Sequence, residues 1–257
     1  LFRQTAEEIL EYVQECLTRP EGAFYSAEDA DSEGVEGKFY VWKYKEILEV
    51  LGAEDTLLFS EIFGIDESGN FHDEATGAPV TDNIPHMKIS LSEYAENHSY
   101  EPEWLKNKLQ VMRVTLWKKR LERVRPLLDD KILTDWNGMM IAAFAKAAGA
   151  FQEPKYVSCA EKAWQFIQST MMTSSGELLH RYRDSEASIH GFLDDYAALA
   201  FGLFELYQAT GEQEYLIHST KLTEILLEKF EDEKGGFYQT EILREATPFS
   251  RQKQVYD

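Results

Sequence analysis

Two stretches of this chain follow one pattern at a constant spacing of 59 residues. Residues 137–180 and 196–239 each have the composition of a helix, a turn, a second helix and a short segment led by glycine. The alignment needs no gap, since Tyr156 falls on Tyr215 and Gly176 falls on Gly235. A repeat of about this length, built from two helices, is typical of stacked helical hairpins. The sequence therefore predicts an all-α fold of consecutive hairpins.

A third, partial copy of the pattern lies near the start of the chain. Gly22-Ala23-Phe24-Tyr25 resembles Gly235-Gly236-Phe237-Tyr238, the end of the second full copy. We therefore expect the chain to begin inside a hairpin and to be an internal piece of a larger ring. The expected organisation is one domain over residues 1–257. Within it, 1–126 would hold the hairpin remnant, an acidic loop and a basic helix, and 127–257 the two repeats.

The first helix of each repeat is richer in small residues than the second. Alanine recurs through residues 142–148, and alanine and glycine recur through 197–202, whereas the second helices carry more charge. Small side chains let helices approach closely, as the inner ring of an (α/α) toroid requires. The polar groups that begin the inner helices are then expected to converge at one mouth of the toroid, where free N–H groups and positive dipole ends also lie.

The connections between helices are expected to be loops and short β-hairpins. Aromatic-rich segments at 23–26 and 38–42 flank the acidic stretch 28–37, and we predict that they pair as a β-hairpin closed by that stretch. Residues 64–102 are rich in Gly, Asn, Pro and Asp and are predicted to be irregular. Residues 127–135 and 181–191 are also predicted to be loops.

Charge limits the partners that the chain can bind. The formal net charge is −20, so phosphate backbones are repelled and nucleic acid is not an expected partner. The basic stretch 103–126 reads as one amphipathic helix, with an apolar face formed by Leu105, Leu109, Met112 and Leu116. We interpret its basic residues as a solvated face that pairs with acidic neighbours.

Other features exclude several classes of protein. The two cysteines, Cys16 and Cys159, form no Cys-x-x-Cys motif, so a disulfide scaffold, a zinc ribbon and a thiol redox site are not expected. No apolar run approaches the length of a membrane span, and two reduced thiols fit the cytoplasm. The histidines lack metal-ligand spacing and no phosphate-binding loop is present, so neither a metal nor a cofactor is predicted.

Candidate functional residues cluster where the two inner helices begin. Residues 129–138 and 190–196 are rich in carboxylates and aromatic side chains. Carboxylates move protons or accept hydrogen bonds from hydroxyl groups, and aromatic rings stack on the apolar face of a sugar. The predicted catalytic residues are Asp135, His190, Asp194 and Asp195, and the predicted substrate-binding residues here are Lys131, Trp136, Asn137 and Tyr196. Helix capping is the alternative interpretation of each aspartate.

The acidic stretch 28–37 partly resembles a calcium-binding loop. Asp29, Asp31 and Glu33 stand at positions 1, 3 and 5, and Gly34 stands at position 6. The match ends there, because the twelfth position is Tyr40 rather than glutamate. A bound cation, a loop that faces a polar substrate and a solvated turn all remain open. On the second interpretation, Tyr25, Asp29 and Asp31 would contact substrate.

Three segments together resemble a known family. They are Ala23-Phe24-Tyr25-Ser26 through Val41-Trp42, Asp130-Lys131 through Asn137-Gly138, and Leu193-Asp194-Asp195-Tyr196-Ala197. They are similar to YyaL-type proteins, also called the spermatogenesis-associated, thioredoxin-domain-containing family. The resemblance implies a six-hairpin (α/α) toroid like those of sugar epimerases and six-hairpin glycosidases. It also implies a thioredoxin-like domain of the same full-length protein as a partner.

Two functions follow as hypotheses from these features. The first is a carbohydrate-active domain with a sugar epimerase-like or glycosidase-like pocket at the toroid mouth, which binds a sugar or another small polar ligand. The second is a non-catalytic toroid that serves as a binding surface or scaffold for the attached thioredoxin domain. Convergence of the predicted catalytic residues in one concave site would favour the first.

Overall fold

A computed structural model describes residues 2–72, 77–241 and 253 of the chain. The helices in this part are α1 Phe2–Cys16, α2 Tyr44–Leu51, α3 Ala53–Phe63, α4 Leu91–Asn97, α5 Pro102–Arg120, α6 Thr134–Phe151, α7 Pro154–Phe166, α8 Leu193–Thr210 and α9 Gln213–Phe230. The strands are β1 Ala27–Glu28, β2 Asp31–Ser32, β3 Val35–Glu36, β4 Trp42–Lys43, β5 Asp82–Asn83, β6 Leu128–Asp129, β7 Ile132–Leu133, β8 Leu179–Arg183 and β9 Glu186–His190.

The chain divides into two compact units. The first consists of Leu1–Ala27 and Leu128–Asp257, and the second of Glu28–Leu127. The first unit contains α1 and the hairpins α6–α7 and α8–α9, and the second contains α2 to α5. The expected helical-hairpin fold with short β-hairpins is therefore confirmed. Among the described residues, no helix is long and apolar enough to cross a membrane.

The helices of the first unit repeat at the spacing found in the sequence. Helices α6 and α8 begin at Thr134 and Leu193, and helices α7 and α9 begin at Pro154 and Gln213, so each pair is offset by 59 residues. Helix α7 continues through a π-helical segment to Met171, and α9 ends at Phe230 at the same offset. The two hairpins thus share a backbone plan.

A tight turn follows the second helix in each copy, and it occurs three times. Antiparallel bridges join Thr18 to Phe24, Met172 to Leu178 and Glu231 to Phe237. Each turn contains a glycine with positive φ, namely Gly22 (+106°), Gly176 (+86°) and Gly235 (+91°). Glycine adopts this conformation at little cost because it has no Cβ. Residues 2–25 therefore have the structure of the second half of a hairpin.

The inner helices α6 and α8 approach each other through glycine. A Cβ built on Gly138 would lie 2.5 Å from the carbonyl carbon of Ala198, and one built on Gly202 would lie 2.4 Å from the carbonyl oxygen of Gly138. Such a contact is possible only without side chains at these two positions. The close approach brings the first turns of α6 and α8 together, and both carry candidate site residues.

The second unit confirms the basic helix in part, because α5 ends at Arg120 whereas the prediction extended to residue 126. In α5, the buried residues are Leu105, Leu109, Met112 and Leu116, the predicted apolar face. Its cationic side chains pair with acidic neighbours, as in the contact of 2.7 Å between Lys108 and Asp55. The prediction that residues 64–102 are irregular is only partly right, because β5 and α4 lie within them.

The predicted hairpin of residues 23–26 with 38–42 is wrong. Phe24 bridges to Thr18 within the first unit, whereas Trp42–Lys43 pairs with Asp82–Asn83 within the second. The hairpin that forms lies inside the acidic stretch, where Asp31 pairs with Glu36 and Ser32 with Val35. Glu33 and Gly34 both have positive φ, as the two-residue turn of a tight hairpin requires.

Candidate functional site

A three-stranded sheet covers the entrance to the inner helices. Its strand order is β7-β8-β9, and the β8–β9 hairpin turns at Asp184 and Ser185, which have φ of +51° and +62°. The prediction that 181–191 is a loop is therefore wrong, and 127–135 likewise contains β6 and β7. Strand β8 carries His180, a residue that sequence reasoning did not select.

His180 is held by a buried carboxylate. Its Nδ1 lies 3.0 Å from Oδ1 and 3.0 Å from Oδ2 of Asp195. An ionised carboxylate accepts hydrogen bonds and cannot donate them, so Nδ1 carries the proton. The side chain of Asp195 is fully buried, whereas that of His180 is 21% exposed. The ring also packs edge-on against Phe192, with centroids 5.0 Å apart, and Nε2 is the ring nitrogen that Asp195 does not contact.

Asp195 is fixed by backbone groups as well as by His180. Its Oδ1 accepts from the N–H of Asp135 at 3.0 Å, and its Oδ2 accepts from the N–H of Phe192 at 2.8 Å. Burial raises the pKa of Asp195, and the hydrogen bonds from Phe192 and His180 oppose this shift. These three donors satisfy the carboxylate, so Asp195 orients His180 and cannot reach a substrate itself.

Asp135 completes a cluster with His180 and Asp195. One ligand atom from each of the three residues lies within 4.8 Å of the others. Asp135 Oδ1 accepts from the N–H of Trp136 at 2.8 Å, in the first turn of α6. A divalent cation could draw on these three side chains, but Asp195 already accepts hydrogen bonds on both oxygens. The geometry is that of an imidazole whose orientation a buried carboxylate fixes.

Trp136 is the residue after Asp135 in the first turn of α6 and exposes an aromatic surface. Its side chain is 47% exposed. An indole of this exposure can stack on the apolar face of a ring-shaped ligand. Two other predicted substrate-binding residues make contacts within the protein. Lys131 pairs with Asp129 at 3.0 Å, and Tyr25 packs against the hydrophobic core.

Asn137 and Tyr196, which the sequence predicts to bind substrate, are buried and bind backbone groups, and their contact with substrate stays a prediction. Asn137 is 1% exposed; its Oδ1 accepts from the N–H of Phe24, and its Nδ2 donates to the carbonyl of Phe24. Tyr196 is 2% exposed, and its hydroxyl accepts from the N–H of Leu178. The two residues stand 59 apart, and each joins an inner helix to the tight turn of the preceding copy.

His190 and Asp194 lie apart from the buried carboxylate. His190 is the cross-strand partner of Leu179, so it faces the other side of the sheet from His180. Its side chain is 70% exposed, with Nδ1 3.7 Å from Glu241. Asp194 is exposed and accepts from Gln239 Nε2 at 2.5 Å. The structure thus brings Asp135 and Asp195 together with His180, and the catalytic role of His190 and Asp194 stays a prediction.

Asp29 and Asp31 lie in the second unit and are both exposed. Asp29 Oδ1 accepts from the N–H of Asp31 at 3.1 Å, as in a polar turn. Within the described ranges, neither belongs to a group of three residues that could hold a metal ion. Their proposed contact with substrate stays a prediction.

The repeat supplies a signal that could have identified His180. The equivalent positions in the three copies are Ser26, His180 and Gln239, counted from the matching turns. Gln239 donates to Asp194, the repeat equivalent of Asp135, so an amide replaces the imidazole in the second full copy. An amide does not act as a general base at neutral pH. Of the three equivalent positions, only the one at 180 carries a side chain suited to proton transfer.

Comparisons with curated proteins find relatives of much greater length. The chain is 31% identical to spermatogenesis-associated protein 20 of Mus musculus in an alignment of 263 positions, which covers 92% of this chain and 33% of that protein. It is 31% identical to an uncharacterized protein of Caenorhabditis elegans, over 91% of this chain and 35% of the relative. The chain therefore spans about a third of these relatives. No protein-family model matches it.

Comparisons with solved structures find carbohydrate-active enzymes at low sequence identity. One is cellobiose 2-epimerase of Bacillus thermoamylovorans, at 11% identity and a TM-score of 0.40, over 91% of this chain and 57% of the enzyme. Another is a family 76 glycoside hydrolase (mannosidase) of Bacteroides thetaiotaomicron, at 13% identity and a TM-score of 0.37, over 92% and 76%. The likeness is one of fold, and the chemistry of this chain depends on its own side chains.

Proposed function

We propose that this chain is a carbohydrate-active domain of the sugar isomerase or epimerase type, with His180 as its general base. The observation that carries the proposal is the contact of 3.0 Å between His180 Nδ1 and each carboxylate oxygen of the buried Asp195. A carboxylate in this position fixes the tautomer, turns Nε2 towards substrate and stabilises the imidazolium that forms when Nε2 accepts a proton.

The same geometry favours proton transfer over glycoside hydrolysis. Hydrolysis uses two carboxyl groups that flank the scissile bond, one as an acid and one as a nucleophile or base. Asp195 does not suit either role, because it is fully buried and its side-chain hydrogen bonds within the described part of the chain are to Phe192, Asp135 and His180. Asp135 remains as a single carboxylate near the imidazole, which suits a relay of hydroxyl protons.

The substrate class follows from the charge and the aromatic surface of the site. Asp135 and Asp194 add negative charge at the starts of the inner helices, so an uncharged polyhydroxy compound is preferred over a phosphorylated or acidic sugar. Trp136 supplies the stacking face, and Asp135 supplies an acceptor for hydroxyl groups.

A balanced reaction can be written for an open-chain aldose. His180 Nε2 removes the proton from C2, next to the carbonyl, and the electron pair forms an enediolate. Return of a proton to C1, with transfer of the hydroxyl proton from O2 to O1, gives the ketose. Delivery of a different proton to the opposite face of C2, from water or a second acid on that face, gives the epimer, and His180 then releases the proton it removed to solvent. Asp195 stabilises the imidazolium during the lifetime of the enediolate.

Proton exchange with solvent tests this proposal. The protein is incubated in deuterated water with D-mannose, D-glucose or cellobiose. A sugar that is a substrate is expected to lose its C2–H signal in the proton NMR spectrum. Replacing His180 by glutamine should slow this exchange by about 10²- to 10⁴-fold, the usual contribution of a positioned acid–base residue.

Two further histidine variants make the assay specific. His72→Gln, an exposed position in the second unit, is the matched control and should exchange like the wild type. His190→Gln separates the two candidate bases. Loss of exchange in His190→Gln with retention in His180→Gln would contradict our assignment. Absence of exchange with every sugar would favour the scaffold function, in which the toroid serves a thioredoxin-like partner.

A further inference from the structure

A cavity of about 660 Å³ lies wholly within the second unit, Glu28–Leu127. This volume is in the range of pockets that hold small organic ligands. Its lining is apolar at six positions, Val35, Phe39, Val41, Phe71, Val80 and Val124. Val35 and Val124 are 54% and 57% exposed, so a ligand here would cover apolar surface that is now in water.

Arg123 holds the walls of the cavity in place. Its guanidinium donates to the carbonyl oxygens of Phe39 and Val41 at 2.7 and 2.8 Å, and it binds both oxygens of Glu46. It also lies 4.1 Å from the ring centroid of Trp42. At the neighbouring residue, the carbonyl of Val124 accepts a hydrogen bond from Ser32 Oγ at 2.6 Å. The cavity is therefore preformed, which lowers the entropic cost of binding.

The charged residues that line the cavity have a net negative charge. Five carboxylates face three cationic groups, namely Glu33, Glu36, Glu46, Asp82 and Glu122 against Lys38, Lys43 and Arg123. Lys38 pairs with Glu33 and Arg123 with Glu46, each at 2.7 Å, and Lys119 from outside the cavity pairs with Glu122 at 2.6 Å. Lys43 lies opposite Asp82 in the β4–β5 ribbon.

Glu36 and Asp82 are the two of these carboxylates that form no ion pair with the described residues, and Asp82 has Lys43 as its cross-strand neighbour, which leaves Glu36 for a ligand. Glu36 lies next to Val35 at the end of the β2–β3 hairpin. We propose that this cavity binds a small amphipathic amine, with the apolar body against Val35 and Val124 and the ammonium group at Glu36. This site is independent of His180 and of the proposed isomerase function.

A pair of probes of matched shape and opposite charge tests the proposal. We expect 2-phenylethylammonium to bind the whole chain with a dissociation constant on the order of 1 mM, since ligands of this size bind weakly. We expect 3-phenylpropionate to bind at least tenfold more weakly. In NMR titrations, the amine should shift the amide signals of Val35, Phe39 and Val124.

Three variants locate the site. Glu36→Gln should weaken amine binding by about fivefold or more, and Val124→Trp should block the cavity. Glu49→Gln, an exposed carboxylate of α2 outside the cavity, should bind like the wild type. Equal affinity for the two probes, shifts confined to residues outside the cavity, or unchanged amine binding in both Glu36→Gln and Val124→Trp would overturn the proposal.

Discussion

Replacing Asp195 by alanine is expected to lower the free energy of unfolding by about 3–5 kcal/mol, the usual cost of breaking a buried charged pair. The substitution removes the acceptor for three donors at once, the N–H groups of Asp135 and Phe192 and Nδ1 of His180. Each stranded backbone donor has lost its partner in a region with little access to water. Urea denaturation followed by circular dichroism measures the change.

Asp194→Ala is the matched control for this experiment. Asp194 is the neighbouring residue in the same helix turn, but it is exposed and makes one side-chain hydrogen bond, to Gln239. We expect its loss to change the unfolding free energy by about 0.5 kcal/mol or less, as is usual for exposed positions. Similar effects of the two substitutions would show that Asp195 is not the buried centre of the site.

Replacing Gly138 by alanine is expected to destabilise the protein by about 2 kcal/mol or more, because the added Cβ has no room. It would lie 2.5 Å from the backbone of Ala198 and Leu199, and backbone cannot move aside as a flexible side chain can. Helices α6 and α8 would have to separate, and their first turns carry Asp135 and Asp195. Proton exchange at sugar C2 should therefore fall together with stability.

Gly149→Ala, a substitution in the same helix, is not expected to destabilise the protein. A Cβ at Gly149 meets nothing within 4 Å, and alanine is favoured over glycine in a helix by about 1 kcal/mol. We expect this variant to be as stable as the wild type or slightly more so. If thermal unfolding showed Gly138→Ala to be as stable as Gly149→Ala, the close approach of the two helices would be contradicted.

The helices of this protein could be predicted because their signals are local and occur twice. The alignment of Tyr156 with Tyr215 located two hairpins, and the structure repeats them at the same offset. The apolar spacing of Leu105, Leu109, Met112 and Leu116 likewise identified the buried face of α5. Helical periodicity depends on neighbours three and four residues away, so one sequence contains it.

The strand pairing around the site could not be predicted in the same way. Strands β8 and β9 are five residues each, and their two-residue turn, Asp184 and Ser185, is a weak signal beside Asn-Gly or Asp-Gly. His190 is the histidine nearest to Asp195 in the sequence, and this proximity favoured it as long as the hairpin was not predicted. The hairpin places His180 against Asp195, and the alternation of side chains along the strand turns His190 to the other face.

Burial was the other property that the sequence did not reveal. Asn137 and Tyr196 have the chemistry of binding residues, yet both are enclosed and bind the backbone of Phe24 and Leu178. Whether a polar side chain faces a ligand or a backbone group depends on contacts between residues far apart in sequence. The equivalence of the two positions in the repeat was the available clue, because a shared structural role is expected to recur in every copy.

Nitrogen-15 NMR of the histidine side chains tests the central claim most directly. At about pH 9, well above the ordinary pKa of an imidazole, the signal that disappears in His180→Gln should belong to a ring with a proton on Nδ1 and none on Nε2. The Nδ1 proton should be lost to rapid exchange in Asp195→Asn. A proton on Nε2 with Nδ1 bare, or a His180 signal that Asp195→Asn leaves unchanged, would contradict an imidazole oriented by Asp195 for proton transfer.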